Sequence, residues 1–235
     1  MIIWATQSAR AAAQTLANPT SFLAPEECDT LATLRFPKRR RDWLLGRLTL
    51  KRLVAHHTAR RMRRELPLSQ IIVERDPSGA PCIRGADSAF PAGCVSLSHS
   101  CGVAVAALCD APNQVVGVDL ERIEQRHPSF ASDFLSDEER ITLLETTMAH
   151  DLLVTTLWSA KEAAVKALRV GLAIDTRRLT CRIHVRKRGW ASLEMVADRH
   201  DTLPGLEALT GAWRRYGDFV LTVAHSRSTG VHHGN

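Results

Sequence analysis

Two acids two positions apart, Asp119 and Glu121, interrupt an otherwise apolar run, Val115-Val116-Gly117-Val118-Asp119-Leu120-Glu121. The run reads as a strand, on which residues two apart project from one face. Side-by-side carboxylates repel each other, and either arginines at the strand end or a bound cation must offset that. A hard cation suits them, since Mg²⁺ takes a few carboxylates and completes its shell with water and substrate phosphate. Further along, Trp158-Ser159-Ala160-Lys161-Glu162-Ala163-Ala164-Val165-Lys166 has helical spacing. Glu162 and Lys166 share a face, with Trp158 one turn earlier. A Glu–Lys pair at this spacing is by itself an ordinary exposed helix face, but a tryptophan on the same stripe implies partial burial. A third cluster, Ser96-Leu97-Ser98-His99-Ser100 before Gly102, suits a strand end that holds an anion. It has no G-x-S-x-G elbow, so a serine nucleophile is not indicated.

The surrounding chain predicts the elements that place these groups. A strand is expected at Ile2–Ala5, a short helix near Pro25–Arg35, and a long helix from Lys38 to Glu65, striped by Trp43, Leu44, Leu48, Leu50, Leu53 and Val54 and stopped by Pro67. Ile71–Glu74 reads as a strand running into the turn Asp76-Pro77-Ser78-Gly79, and Cys94–His99 as another. Val103–Leu108 and Val115–Leu120 read as a hairpin about Asp110-Ala111-Pro112-Asn113. Ser136-Asp137-Glu138-Glu139 is a capping box that opens a helix. Asp151 is expected to cap a second helix, Leu152 to Arg169, ended by Gly171. Strands at Cys181–Arg186, Trp190–Val196 and Phe219–His225 follow. The spacing of Trp43, Arg47 and Lys51 recurs in Trp158, Glu162 and Lys166. The expected fold is therefore α+β: two pseudo-symmetric halves, residues 1–115 and 116–225, each a long helix on a small, mainly antiparallel sheet, with the site at their junction. Residues 226–235 form a polar, flexible tail.

With 235 residues, of which 45% are hydrophobic and 24% charged, the composition is that of a soluble globular protein rather than a disordered or fibrous one. The apolar start is too short for a signal sequence, and no stretch approaches the ~20 apolar residues of a membrane span. The expectation is a cytoplasmic, monomeric protein with no membrane association. Six cysteines (Cys28, Cys82, Cys94, Cys101, Cys109 and Cys181) lack zinc-site spacing. Cys94, Cys101 and Cys109 read as small buried hydrophobes. The net charge of +6 is concentrated in Lys38–Arg41, Arg60–Arg64 and Arg186–Arg188. Such runs are either solvated surface or a face for a polyanion.

Taken together, these segments resemble the phosphopantetheinyl transferases, in particular the larger, two-half kind that serves siderophore, polyketide and non-ribosomal peptide assembly. The family pattern of Gly-hydrophobic-Asp-x-Glu, followed about forty residues later by aromatic-Ser-x-Lys-Glu-small-x-x-Lys, is met by Gly117–Glu121 and Trp158–Lys166. Ser96–Ser100 matches its Ser-x-Ser/Thr-His element. Leu44-Leu45-Gly46-Arg47, after arginines 39–41, looks like its basic helix, and Ser78-Gly79-Ala80-Pro81 is similar to its Gly-x-Pro loop. Ala80 stands where the usual lysine would contact a cofactor phosphate. Phe90-Pro91-Ala92-Gly93 looks most like the siderophore-associated branch. The resemblance spans Arg39 to Leu172.

The resemblance implies transfer of the 4'-phosphopantetheine group from coenzyme A to a serine of an acidic acyl or peptidyl carrier protein. It implies Mg²⁺, with Mn²⁺ as a substitute, held by Asp119, Glu121 and Glu162. Catalysis falls to Glu162, Lys166 and Asp119, with Glu162 as the candidate general base and Lys166 on the phosphate. Coenzyme A would meet Arg39, Arg40, Arg47, Gly79, Pro81, Ser98, His99, Lys161 and Lys166, although its helix position turns Lys161 away from Glu162. A nucleic-acid-binding module would use the arginine runs, but none of them contains the aromatic residues that stack on bases, and nucleic acid is not an expected partner. Another Mg²⁺-dependent phosphate-cleaving enzyme would share the acids but not the ordered Ser-His and Trp-Ser-x-Lys-Glu elements.

Overall fold

A computed structural model describes residues 1–84, 95–111, 114–171, 174–186, 188–197 and 205–227. The chain divides into two units, Met1–Gln114 and Val115–Ser228.

The first unit runs β1 (Ile2–Ser8), α1 (Ala13–Leu16), α2 (Pro25–Thr33), α3 (Pro37–Met62), β2 (Ile72–Arg75), β3 (Pro81–Arg84), β4 (Val95–Ser100) and β5 (Val103–Cys109). Pro25 and Pro37 open their helices, where a missing N–H costs no hydrogen bond. The apolar stripe of α3 divides its work. Leu44, Leu45 and Leu48 pack with Phe22, Leu31 and Ala104, whereas Leu50, Leu53 and Val54 pack with Ile71, Val73, Val95 and Leu108. The helix ends at Met62 on a left-handed Arg63 (φ 52°), five residues before Pro67. The sheet has the antiparallel order β1-β5-β4, and β2 pairs with β3.

The second unit runs β6 (Val116–Arg122), α4 (Phe130–Phe134), α5 (Asp137–Glu145), α6 (His150–Leu168), β7 (Leu179–Ile183), β8 (Ala191–Ala197), β9 (Leu209–Tyr216) and β10 (Phe219–Ser226). Its sheet is antiparallel throughout, in the order β6-β10-β9-β8-β7. Helix α6 lays Leu153, Leu157, Ala160, Ala163, Ala164 and Ala167 against Leu179, Leu193, Met195, Leu209 and Ala224. The predicted capping box is present: Ser136 Oγ accepts the Glu139 N–H (3.3 Å), and Glu139 Oε2 accepts the Ser136 N–H (2.8 Å).

The α+β class is borne out, and both units follow one plan: first strand, helices, then four strands, the last returning to pair with the first. This plan corrects the hairpin expected from Val103–Leu108 and Val115–Leu120. Strand β5 is held between β1 and β4, and β6 pairs with β10. The real neighbour of β5 is β4, across a tight turn with Cys101 (φ 47°) and Gly102 (φ 75°) both left-handed. That is the two-residue hairpin connection, hidden by a cysteine where Asn or Asp is usual. Cys101 is exposed on it rather than buried.

Two further expectations need correcting. Helix α6 starts at His150 with Ala149 as N-cap, so Asp151 lies inside its first turn, and left-handed Arg169 (φ 58°) ends it before Gly171. Strand β9 was not foreseen. Its inward positions are Leu209, Gly211 and Trp213, and the glycine breaks the apolar alternation. A Cβ on Gly211 would stand 2.8 Å from the Val223 carbonyl oxygen and 2.9 Å from Met195 Cε. Of the expected tail, Ser226 closes β10, and Arg227 bonds to the carbonyls of Ala208 and Leu209. The remaining tail residues, like Phe90–Gly93, Cys94, Pro112, Asn113 and Lys187, lie outside the described residues.

Candidate active site

The acids of the second unit are brought together by an unusually close helix–strand contact. A Cβ built on Gly117 would lie 1.9 Å from the Ala163 carbonyl oxygen and 2.6 Å from the Ala167 nitrogen. Only glycine lets the α6 backbone approach β6 so closely. Two residues along the strand, Asp119 is buried, at 2% exposure. From the helix, Lys166 Nζ reaches its Oδ1 at 2.7 Å and stands 3.9 Å from Glu162 Oε2. An ammonium thus sits between the strand acid and the helix acid.

Glu121 emerges from the same face of β6, and Arg126 donates to its Oε2 at 2.6 Å. The Arg126 guanidinium also stands 5.2 Å from the Phe130 ring centroid. Phe130, Phe134 and Trp158 form an aromatic cluster, with Trp158 4.9 Å from Phe134 and 5.4 Å from Phe130. This explains the partial burial expected of the Trp158 face. Burial raises the Glu121 carboxyl above its ordinary value, and repulsion from Asp119 adds to that, against the pull of Arg126 and Lys166. Burial also raises Glu162; Lys166 counters it, while Asp119 and Glu121 push further up.

Two glutamates held up by burial and by neighbouring carboxylates, with Asp119 beside them, have the donor chemistry of a hard divalent-cation site. Among the described residues, no three acidic, histidine or cysteine side chains are gathered around a single point. Arg126 on Glu121 and Lys166 on Asp119 hold the places a cation would take.

The remaining candidates are distributed differently. Lys161 turns away from Glu162 into the interior of the unit. Its ammonium is wholly buried, 2.8 Å from Glu139 Oε2, and donates to the carbonyls of Thr176 (2.7 Å) and Leu179. All three donors are therefore committed inside the unit.

In the first unit, Arg47 is also buried. Its guanidinium stacks 4.7 Å over Trp43, its Nε lies 3.6 Å from Glu27 Oε1, and burial draws it down to about 10. Arg39 and Arg40 are exposed, and Arg40 Nη1 donates to the Leu31 carbonyl (2.8 Å) at the end of α2. Pro81 opens β3, and Gly79 (φ 85°) lies in the β2–β3 connection. There Asp76 Oδ1 accepts the N–H groups of Ser78 (2.9 Å) and Ala80 (3.0 Å), which makes the loop a fixed turn. Ser98 is buried and His99 exposed, because successive β4 residues project to opposite faces.

Sequence reasoning missed Arg126, the two phenylalanines and the second role of Glu139. Arg126 follows β6 in an irregular segment, where no periodicity marks a partner. Glu139 was visible only as a capping residue.

The profile of the 4'-phosphopantetheinyl transferase superfamily matches residues 115–224. The chain is 30% identical over 163 residues to the 4'-phosphopantetheinyl transferase psf-1 of Bacillus pumilus, covering 69% of this chain and 64% of that protein. It is 25% identical over 165 residues to the L-aminoadipate-semialdehyde dehydrogenase-phosphopantetheinyl transferase of Xenopus laevis, covering 66% of this chain and 52% of that one. It thus spans less than two thirds of either relative. Among solved structures, the holo-[acyl-carrier-protein] synthase of Thermotoga maritima matches at 18% identity and a TM-score of 0.36, over 47% of this chain and 61% of that one.

Proposed function

We propose that the chain is a member of the 4'-phosphopantetheinyl transferase superfamily, whose profile matches residues 115–224, and that it transfers the phosphopantetheine arm of coenzyme A to a serine of an apo acyl or peptidyl carrier protein. The observation that carries this reading is Lys166 between Asp119 and Glu162, on a helix that Gly117 admits against β6. Asp119, Glu121 and Glu162 are the residues that would hold Mg²⁺, or Mn²⁺ in its place. Once bound, the cation supplies Lewis-acid charge neutralisation at the pyrophosphate.

The chain's own residues divide the remaining work. Lys166 donates to a phosphate oxygen and neutralises charge as it moves from the attacked phosphorus to the leaving group. Glu162, whose carboxyl is raised, is matched to accept the proton of the carrier serine. The serine oxygen forms a bond to the phosphorus that bears the pantetheine, the bond to the bridging oxygen breaks, and 3',5'-ADP leaves. Arg39, Arg40, Arg47, Gly79, Pro81, Ser98 and His99 remain the proposed nucleotide-end contacts. The net charge of +6 favours encounter with an acidic carrier.

The deciding experiment is the intact mass of an acidic apo carrier protein after incubation with the chain, coenzyme A and Mg²⁺. A gain of one phosphopantetheine, abolished by chelator and by Glu162→Ala, is expected. No gain across several carriers, with the chain folded and coenzyme A bound, would sink the assignment.

A further inference from the structure

The wholly buried Lys161 has a twin in the other unit, and two of its three partners match, the glutamate and the carbonyl that opens a 3-10 turn. The third is Phe22 ahead of α2 in one unit and Leu179 on β7 in the other. Lys51 donates to Glu27 Oε2 and to the carbonyls of Phe22 (2.7 Å) and Leu68 (3.2 Å), and it too is fully buried. Glu27 and Glu139 each occupy the third position of the helix before the long one, α2 and α5. Each accepts the backbone N–H just ahead of its helix, Ala24 (2.9 Å) or Ser136 (2.8 Å). Each also accepts an N–H from the strand that follows the long helix, Val73 (3.2 Å) on β2 or Cys181 (2.8 Å) on β7. Leu68 and Thr176, whose carbonyls bind the lysines, each open a short 3-10 turn before that strand.

This correspondence replaces the echo of Trp43, Arg47 and Lys51 in Trp158, Glu162 and Lys166: the true counterpart of Lys51 is Lys161. The counterpart of Glu162 is then Arg52, which donates to Gln7 on β1 (2.6 Å) and to Thr15 (3.2 Å). The first unit thus keeps the lysine tie without the acids, so the tie is a device for seating the long helix rather than a coenzyme contact.

We propose that Lys161 is a positioning residue. Tied to Glu139 on α5 and to the carbonyls of Thr176 and Leu179, it fixes the rotation and axial position of α6 at which Glu162 and Lys166 meet Asp119. The small-residue contact at Gly117 sets how near the helix lies, but smooth alanine packing does not by itself stop it turning or sliding. Directional bonds at the residue before Glu162 do. A displacement of about 1 Å at that point is enough to cost roughly 100-fold in rate.

The inference rests on the transferase reading for its kinetic consequence only, and its test separates the two. The variant is Lys161→Met/Glu139→Gln, which removes both buried charges, since removing one partner alone leaves the other uncompensated. With folding confirmed by circular dichroism, Mn²⁺ affinity is read by electron paramagnetic resonance, coenzyme A affinity by calorimetry and turnover by carrier mass. Expected are a roughly 10-fold weaker Mn²⁺ affinity, a coenzyme A affinity within threefold of wild type, and kcat down about 100-fold. Lys51→Met/Glu27→Gln is expected to leave Mn²⁺ affinity unchanged.

Coenzyme A affinity weakened tenfold with Mn²⁺ affinity intact would make Lys161 a substrate contact and overturn the proposal. Unchanged Mn²⁺ affinity and kcat in the folded variant would reduce the tie to plain stabilisation and overturn it as well. If wild type binds no Mn²⁺, the metal assignment fails separately. Hydrogen exchange across residues 158–168 then decides: lost protection in the variant supports the positioning role, and unchanged protection overturns it.

Discussion

Burial first, and then the charge of Asp119, hold the carboxyls of Glu121 and Glu162 above their ordinary values. A raised folded-state value means that ionisation favours the unfolded chain, so at neutral pH these groups work against the fold; the penalty disappears as pH falls below the unfolded value. Glu162→Gln should therefore stabilise the metal-free protein by about 1 kcal/mol near neutral pH, an advantage lost below about pH 4. Thermal melts across pH test this, and a destabilised variant at neutral pH would contradict it. Spacing put Asp119 beside Glu121 and Glu162 beside Lys166, because period-2 and period-3.6 geometry gives each pair a shared face. Joining the two pairs into one site took the family resemblance. The fate of Lys161 was illegible, since a lysine is expected in water unless a buried partner is known, and Glu139 lies 22 positions away in sequence. Arg47 hid for the same reason.

Among the elements, the contact of α6 with β6 carries the site, and Gly117 is where it is most exposed to change. Gly117→Ala would push a methyl into two backbone atoms that no side-chain rotation can relieve. The expected cost is about 3 kcal/mol, together with loss of Mn²⁺ binding, measured by urea unfolding and resonance. A folded variant with wild-type affinity would show that the helix can back away without harm. The box Ser136–Glu139 announced α5, and the long apolar stripe announced α3, because caps and periodicity are local signals. The β4–β5 turn and β9 were not announced. Their determinants are a left-handed cysteine and a glycine fitted under Val223, both set by partners distant in sequence.

At the scale of the whole chain, two units of one topology carry one set of acids. Lys51→Met should cost less than Lys161→Met, because Arg47 still faces Glu27, whereas among the described residues no second cation faces Glu139. Lys51→Met/Glu27→Gln should not recover the loss, since it leaves buried Arg47 uncompensated; urea unfolding of the variants reads both. A double variant as stable as wild type would show that Arg47 does not depend on Glu27. The duplicated plan was legible from the succession of long helix and strands, but the pairing of first strand with last was not, because neighbours in sequence looked like partners. That pairing has a consequence during synthesis. Within the described residues β10 is the sole ladder partner of β6, and it is the last strand of its unit to leave the ribosome. The strand that bears Asp119 and Glu121 must wait, edge open and acids unplaced, until nearly the entire unit has emerged. Nascent chains stalled before Phe219 should therefore show neither Mn²⁺ affinity nor protease resistance at Gly117–Glu121, and both should appear together once β10 is free.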